Sequence, residues 1–301
     1  MGARQRTHAA ENAKDSLSHP GGDTLSGMSM ASRPPFLIEG HRGARGLWPE
    51  NTLAGFAGAL ALDIDAIELD VMMTRDGVVV VTHDPRLNPD LTRNSFGKWL
   101  VGPGPAVASL DAAQLMAFDV GRARPGGVTA VAFPAQVACD GARIPRLAEV
   151  LRLALRSRAT VDVELKTNPS QPELSPHPAV LADAVVAAAR DCGAFDRLAV
   201  RSFDWRGLRH MRDRWPQVPL TWLTAQAGPG PDEVARAAGG DGGRWGPNHE
   251  GLDLGMVERA HDLGLLVIPW TVNSLEAMRR LRDWGVDGIC TDRPDVARSD
   301  R

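Results

Sequence analysis

The chain has 301 residues, 43% of them hydrophobic, with a formal charge of -3 and a pI near 6.2. That length can bury one large core, and the charge offers no basic footprint for nucleic acid. No apolar run of about 18 residues or more is present to span a bilayer as a helix, so a small molecule is the expected partner.

Residues 1–34 are polar and rich in Ser, Gly, Ala and charge, without the apolar core of a signal peptide. They read as a disordered extension ahead of one domain over 35–301. Cys139, Cys192 and Cys290 are widely spaced and form no C-x-x-C pair, which predicts reduced structural thiols and a cytoplasmic setting. From residue 36 onward, β-like runs at 36–39, 66–71, 160–165, 198–202, 220–224, 243–247, 265–270 and 287–291 alternate with helical stretches. The helical stretches lie at 52–62, 147–155, 178–190, 205–212, 232–238, 254–263 and 274–284. Such alternation predicts an α/β fold, a parallel (β/α)8 TIM barrel with its chemistry at the C-terminal ends of the strands.

One further β-like run, 78–81, stands too close to the second strand for a parallel crossover and must return antiparallel. Asp76-Gly77 suits a two-residue type I′ turn, which would pair Arg75 with Val78 and set Asp70 opposite His83, unless a bulge shifts the pairing by one. The next stretch, 84–143, is too long for an ordinary barrel connection. With Pro-Gly-Pro at 103–105 and a helix-like segment at 109–118, it reads as an inserted cap beside the mouth.

The chemistry-bearing residues cluster at strand ends. Glu68 and Asp70 are two apart and share a face, as do Glu164 and Lys166. Several ionisable groups aimed at one mouth call for a compensating cation, and Glu68, Asp70 and Glu164 are assigned as ligands of Mg²⁺ or Ca²⁺. The competing reading is a set of salt bridges without metal, Asp70 to His83 and Glu164 to Lys166. His41 and His83 end their own β-like runs and are the candidate proton-transfer groups. Of 34 basic residues only Lys14, Lys98 and Lys166 are lysines, so a lysine at a strand end points to a need for a compact ammonium. Arg42 could grip a phosphate with two parallel bonds or serve as a rim salt bridge.

The segments His41-Arg42-Gly43, Pro49-Glu50-Asn51-Thr52, Glu68-Leu69-Asp70, Thr74-Arg75-Asp76-Gly77 and His83-Asp84 occur in an order that resembles the signature of glycerophosphodiester phosphodiesterases. Glu164-Leu165-Lys166, Ser202-Phe203-Asp204, Pro269-Trp270-Thr271-Val272-Asn273 and Thr291-Asp292 extend the likeness over roughly 37–294. The resemblance implies a TIM barrel that binds Ca²⁺ or Mg²⁺ and cleaves glycerophosphodiesters to sn-glycerol 3-phosphate and an alcohol. It further implies His41 and His83 as acid and base, Glu68, Asp70 and Glu164 as metal ligands, and Arg42 and Lys166 as phosphate contacts. Phe203 and Trp270 would pack against the glycerol or the leaving group, or else belong to the barrel-mouth core. The 84–143 insertion resembles one in that family, and as a cap it would favour water-soluble, deacylated substrates.

Other readings compete with this one. Lysophospholipase D activity is a variant within the same family. A barrel lyase could use Lys166 as a Schiff-base nucleophile. A non-catalytic barrel could merely bind phosphodiesters or a partner protein, although the presence of both histidines and all three carboxylates argues against it.

Overall fold

The computed structural model describes residues 36–301 apart from residue 241, and the expected extension at 1–34 lies outside the described residues. Eight parallel strands form the barrel: β1 (Leu37–Gly40), β2 (Ala66–Met73), β4 (Thr160–Leu165), β5 (Leu198–Ser202), β6 (Leu220–Thr224), β7 (Arg244–Pro247), β8 (Leu266–Val267) and β9 (Gly288–Thr291). The remaining strand, β3 (Val79–Val81), pairs antiparallel with β2 alone. The ladder runs β8-β7-β6-β5-β4-β2-β1-β9. Backbone bonds from Asp287 to Val267 and from Cys290 to Pro269, each 2.9 Å, draw its two ends together.

Among the described residues there are ten helices: α1 (Leu53–Ala61), α2 (Ala112–Leu115), α3 (Val128–Ala132), α4 (Leu147–Ala154), α5 (Pro178–Asp191), α6 (Trp205–Arg214), α7 (Pro231–Ala238), α8 (Leu254–Asp262), α9 (Leu275–Asp283) and α10 (Pro294–Ser299). Their starts are written in the sequence. Thr52, Asp204, Asp253 and Ser274 each accept a backbone N–H of the first turn, a cap worth about 1 kcal/mol. Leu147, Val150, Leu151 and Ala154 make one apolar stripe on α4, and all four are buried.

Strand parity then sorts the barrel into two layers. Ile67, Leu69 and Val71 of β2 join Phe56, Leu147 and Leu151 in the core between strands and helices. Glu68 and Asp70, the alternate positions, project into the barrel. The same parity splits β3: Val79 and Val81 belong to that core, whereas Val80, with Met72, packs on a satellite cluster with Leu87, Val107, Leu115 and Ile144. Residues 82–146, which contain α2, α3 and a 3-10 turn at Val107–Ser109, thus have apolar anchoring of their own.

The hairpin departs from the expected register by one residue. Val71 pairs with Val81 and Met73 with Val79, so Asp70 faces Thr82, whose N–H donates to the Asp70 carbonyl at 3.0 Å. The turn holds three residues, not two. Gly77 N–H donates to Thr74 O at 3.0 Å, Thr74 N–H to Val78 O at 3.0 Å, and only Gly77 has positive φ, +78°. This is a type I turn closed by a left-handed glycine, and the extra residue shifts every later pairing. His83 still reaches the mouth, because β3 ends at Val81 and the chain bends there instead of continuing the ladder.

Candidate active site

Three acids form the centre of the mouth. The β2–β4 ladder sets Asp70 opposite Glu164 and Glu68 opposite Asp162. One carboxylate oxygen from each of Glu68, Asp70 and Glu164 lies within 4.8 Å of the others, and all three residues are buried. Burial and the neighbouring Asp70 raise the Glu68 carboxyl well above its ordinary range. Burial pushes Asp70 the same way, yet Arg42, Lys166 and His83 more than offset it and hold that carboxyl low. Asp70 Oδ2 accepts from Asn51 Nδ2 at 2.9 Å, while the buried Oδ1 has no hydrogen-bond partner. An orphaned oxygen among crowded buried acids fits a cation-binding site, and an all-oxygen donor set suits a hard divalent ion.

Two side-chain cations border the cluster. Arg42 donates its backbone N–H to Glu68 Oε2 at 2.8 Å and Nη1 to Glu50 Oε1 at 2.8 Å, with Nε 3.2 Å from Asp70 Oδ2. The turn that carries it depends on glycine. A Cβ on Gly40 would meet Gly43 O at 2.0 Å, and Gly43 itself has φ +91°. Lys166 Nζ donates to Glu164 Oε1 at 2.8 Å and lies 3.7 Å from Asp70 Oδ1. Burial would lower the Lys166 pKa, but Glu164 and Asp70 prevail and raise it. An imine-forming lysine needs the reverse, a readily deprotonated amine, so this environment speaks against a Schiff-base role.

Each candidate histidine is paired through Nδ1 with a carboxylate. His41 Nδ1 donates to Asp292 Oδ1 at 2.6 Å, and its Nε2 stands 4.0 Å from Glu68 Oε2. Burial lowers the His41 pKa to about 4 although Asp292 opposes it, so the ring is neutral at pH 7 with Nε2 turned to the acids. Asp292 also accepts from Arg45 Nε at 2.8 Å and Asn273 Nδ2 at 2.8 Å. Despite burial, His41 and Arg45 hold its carboxyl below the usual range. His83 Nδ1 donates to Asp84 Oδ1 at 2.7 Å, and Asp84 Oδ2 accepts from Asn88 Nδ2 at 2.9 Å. The two pairs have the same form: a carboxylate fixes the tautomer and leaves Nε2 to act.

A cavity of about 240 Å³ is lined by His41, Arg42, Glu68, His83, Glu164, Lys166, Phe203 and Trp270 among others, so eight of the nine residues singled out from sequence meet at one opening. The ninth, Asp70, is 0% exposed and lies beneath them, against Arg42 and Lys166. Phe203 and Trp270 form an edge-to-face pair with centroids 5.4 Å apart, and Trp270 Nε1 donates to Gly246 O at 2.9 Å.

Sequence reasoning missed several partners. Asp292 and Asp84 stand in motifs quoted above without a role; the available signals were a carboxylate directly after the last strand for Asp292 and one directly after His83 for Asp84. Arg201, buried on β5 and bridging Glu39 and Asp162, also lines the cavity and acts on Glu68. Only its lone charge within the apolar run Leu198–Ser202 hinted at an inward position.

Residues 41–296 match the model of the glycerophosphoryl diester phosphodiesterase family. A glycerophosphodiester phosphodiesterase of Bacillus altitudinis is 31% identical over 266 residues, covering 86% of this chain and 96% of its own length. The Bacillus subtilis (strain 168) protein of that name is 29% identical over 280 residues, covering 89% and 87%. A crystal structure from Silicibacter pomeroyi DSS-3, provisionally assigned as a glycerophosphoryl diester phosphodiesterase, superposes with a TM-score of 0.82 at 38% identity, covering 87% and 91%. With that family pattern running through the strands that carry the acids and both histidines, the chain belongs to the glycerophosphoryl diester phosphodiesterase family.

Proposed function

We propose that the protein hydrolyses glycerophosphodiesters to sn-glycerol 3-phosphate and an alcohol, with Ca²⁺ or Mg²⁺ held by Glu68, Asp70 and Glu164. The observation that carries this reading is the meeting of three buried acids, one with an orphaned oxygen, and two carboxylate-paired histidines at one barrel mouth. Family membership and the name of the Bacillus relatives support the substrate class. When bound, the cation would supply Lewis-acid stabilisation of a non-bridging phosphoryl oxygen.

The chain's own residues do the rest. Lys166 and Arg42 face the opening and counter the charge that grows on the phosphoryl group in the pentavalent transition state. One imidazole takes the proton of the attacking hydroxyl while the other protonates the departing alkoxide. Their Nδ1 carboxylate partners keep the rings oriented throughout. Phe203 and Trp270, packed edge to face at the opening, offer an apolar surface to the carbon skeleton. Unpaired Cys139, Cys192 and Cys290 favour a cytoplasmic site of action.

The test uses metal-stripped protein with a panel of glycerophosphodiesters, Mg²⁺ or Ca²⁺ added back separately, and released sn-glycerol 3-phosphate as the readout. Chelation is expected to abolish turnover and one of the two ions to restore it. His41→Ala and His83→Ala should each lower kcat by about 10²–10⁴-fold with the fold intact. Turnover that survives chelation, or borohydride trapping of a substrate on Lys166, would overturn the proposal.

A further inference from the structure

A second cavity, of about 260 Å³, opens beside the first and shares His83, Glu164, Lys166 and Phe203 with it. Its other walls are mostly hydrocarbon by area, from Met72 of β2, Pro85, Leu165 at the end of β4 and Leu174 of the 3-10 turn Pro172–Leu174, with the uncharged Thr167, Asn168, Gln171 and Ser175 completing them. Glu164 is the sole carboxylate of that lining among the described residues, and its Oε1 already accepts from Lys166 Nζ.

We infer that this cavity receives the departing alcohol of the diester, and that the alcohol it fits is uncharged and apolar, not a cationic amino alcohol such as choline. The inference rests on the diesterase reading above and adds the class of leaving group. The two cavities meet at His83 and Lys166, so a phosphorus seated over the acids has one substituent in each. The glycerol, small and rich in hydroxyls, suits the first, where Arg42, Arg201 and Thr271 offer donors. The second offers mainly hydrocarbon, and each methylene buried there strengthens binding roughly fourfold. A quaternary or primary ammonium in the same space would meet the Lys166–Glu164 ion pair, whose carboxylate is already committed, and no further carboxylate of the lining to offset its lost hydration. A cation desolvated there gains no partner for its charge, so the cavity selects against cations as well as for carbon.

The experiment compares two esters of sn-glycerol 3-phosphate with the metal-loaded enzyme: the choline ester and the ester of 3,3-dimethylbutan-1-ol, which has choline's shape without its charge. The inductive effect of the ammonium makes choline the better leaving group, so chemistry alone biases against the inference. The expected result is a kcat/KM for the neutral ester about tenfold or more above that for the choline ester. Gln171 is exposed on the rim of this cavity, and Gln171→Glu should move the ratio toward choline by about threefold, the effect of one exposed charge. Equal or better turnover of the choline ester by the wild type, or a ratio unmoved by Gln171→Glu, would overturn the assignment of this cavity. Absence of turnover with both esters would instead remove the diesterase reading on which it stands.

Discussion

Replacing Asp292 by Asn is the most informative single perturbation. Asp292 accepts four hydrogen bonds from three side chains: His41 Nδ1 at 2.6 Å and Arg45 Nε at 2.8 Å on Oδ1, and Asn273 Nδ2 at 2.8 Å and Arg45 Nη2 at 3.3 Å on Oδ2. An amide has one acceptor oxygen, so the two donors on the other position must then face an NH2 group. If His41 is one of the two displaced, the lost bond is short, buried and charge-assisted, worth about 1.5–3 kcal/mol. Expressed wholly in the transition state, that slows turnover about 10–150-fold. Should the ring also exchange tautomers and bind its proton at Nε2, the loss grows toward about 10⁴-fold, because the nitrogen facing the substrate can no longer accept. Asp292 is also what raises the His41 pKa against burial, so its removal drives that pKa below about 4 and no increase in pH restores activity. The assay is kcat against pH between 5 and 9, with circular dichroism to show an unchanged fold. A well-folded variant within about threefold of wild-type kcat would refute the pairing of Asp292 with a working His41.

Asp70→Asn removes the orphaned oxygen's charge, and calorimetric titration should show divalent-cation affinity falling at least about tenfold, with unchanged affinity contradicting the ligand assignment. Acid stability should report His41. Its folded pKa of about 4 lies below the ordinary 6.5, so between those values the unfolded chain binds the extra proton. Stability present above pH 6.5 is therefore lost on acidification, by about 3 kcal/mol at pH 4. Urea midpoints of wild type and His41→Ala across that window measure it, and parallel curves would contradict the burial argument. Gly77→Ala should cost about 1 kcal/mol, seen as a fall of about 2–4 °C in Tm. No atom lies within 4 Å of the added methyl, so the whole cost comes from φ +78°, and an unchanged Tm would deny the left-handed turn.

Much of the barrel could be read directly because its signals are local. The runs 160–165, 198–202 and 220–224 became β4, β5 and β6 with the same limits, since a strand buried on both faces has to be a short apolar run bounded by breakers. Parity alone brought Glu68 and Asp70 to one face, and the next parallel strand supplied Glu164. The hairpin register could not be obtained this way. Type I′ and type I-plus-glycine turns both accept Asp76-Gly77, and the choice is tied to a distant contact: Asp76 Oδ1 accepts from Ala112 N as well as from Thr74 Oγ1.

Amino-acid order by itself determined the alternation of strands and helices, the inward direction of the acids and the location of both histidines at strand ends, because periodicity and chain stereochemistry act over a few residues. Tertiary structure alone decided which carboxylate holds each imidazole, how Arg201 reaches Glu39 and Asp162, and where the apolar second cavity opens. His41 and Asp292 are 251 positions apart, and only closing β9 against β1 brings them within 2.6 Å. Barrel closure is a cooperative consequence of the whole core, and no local window of sequence contains it.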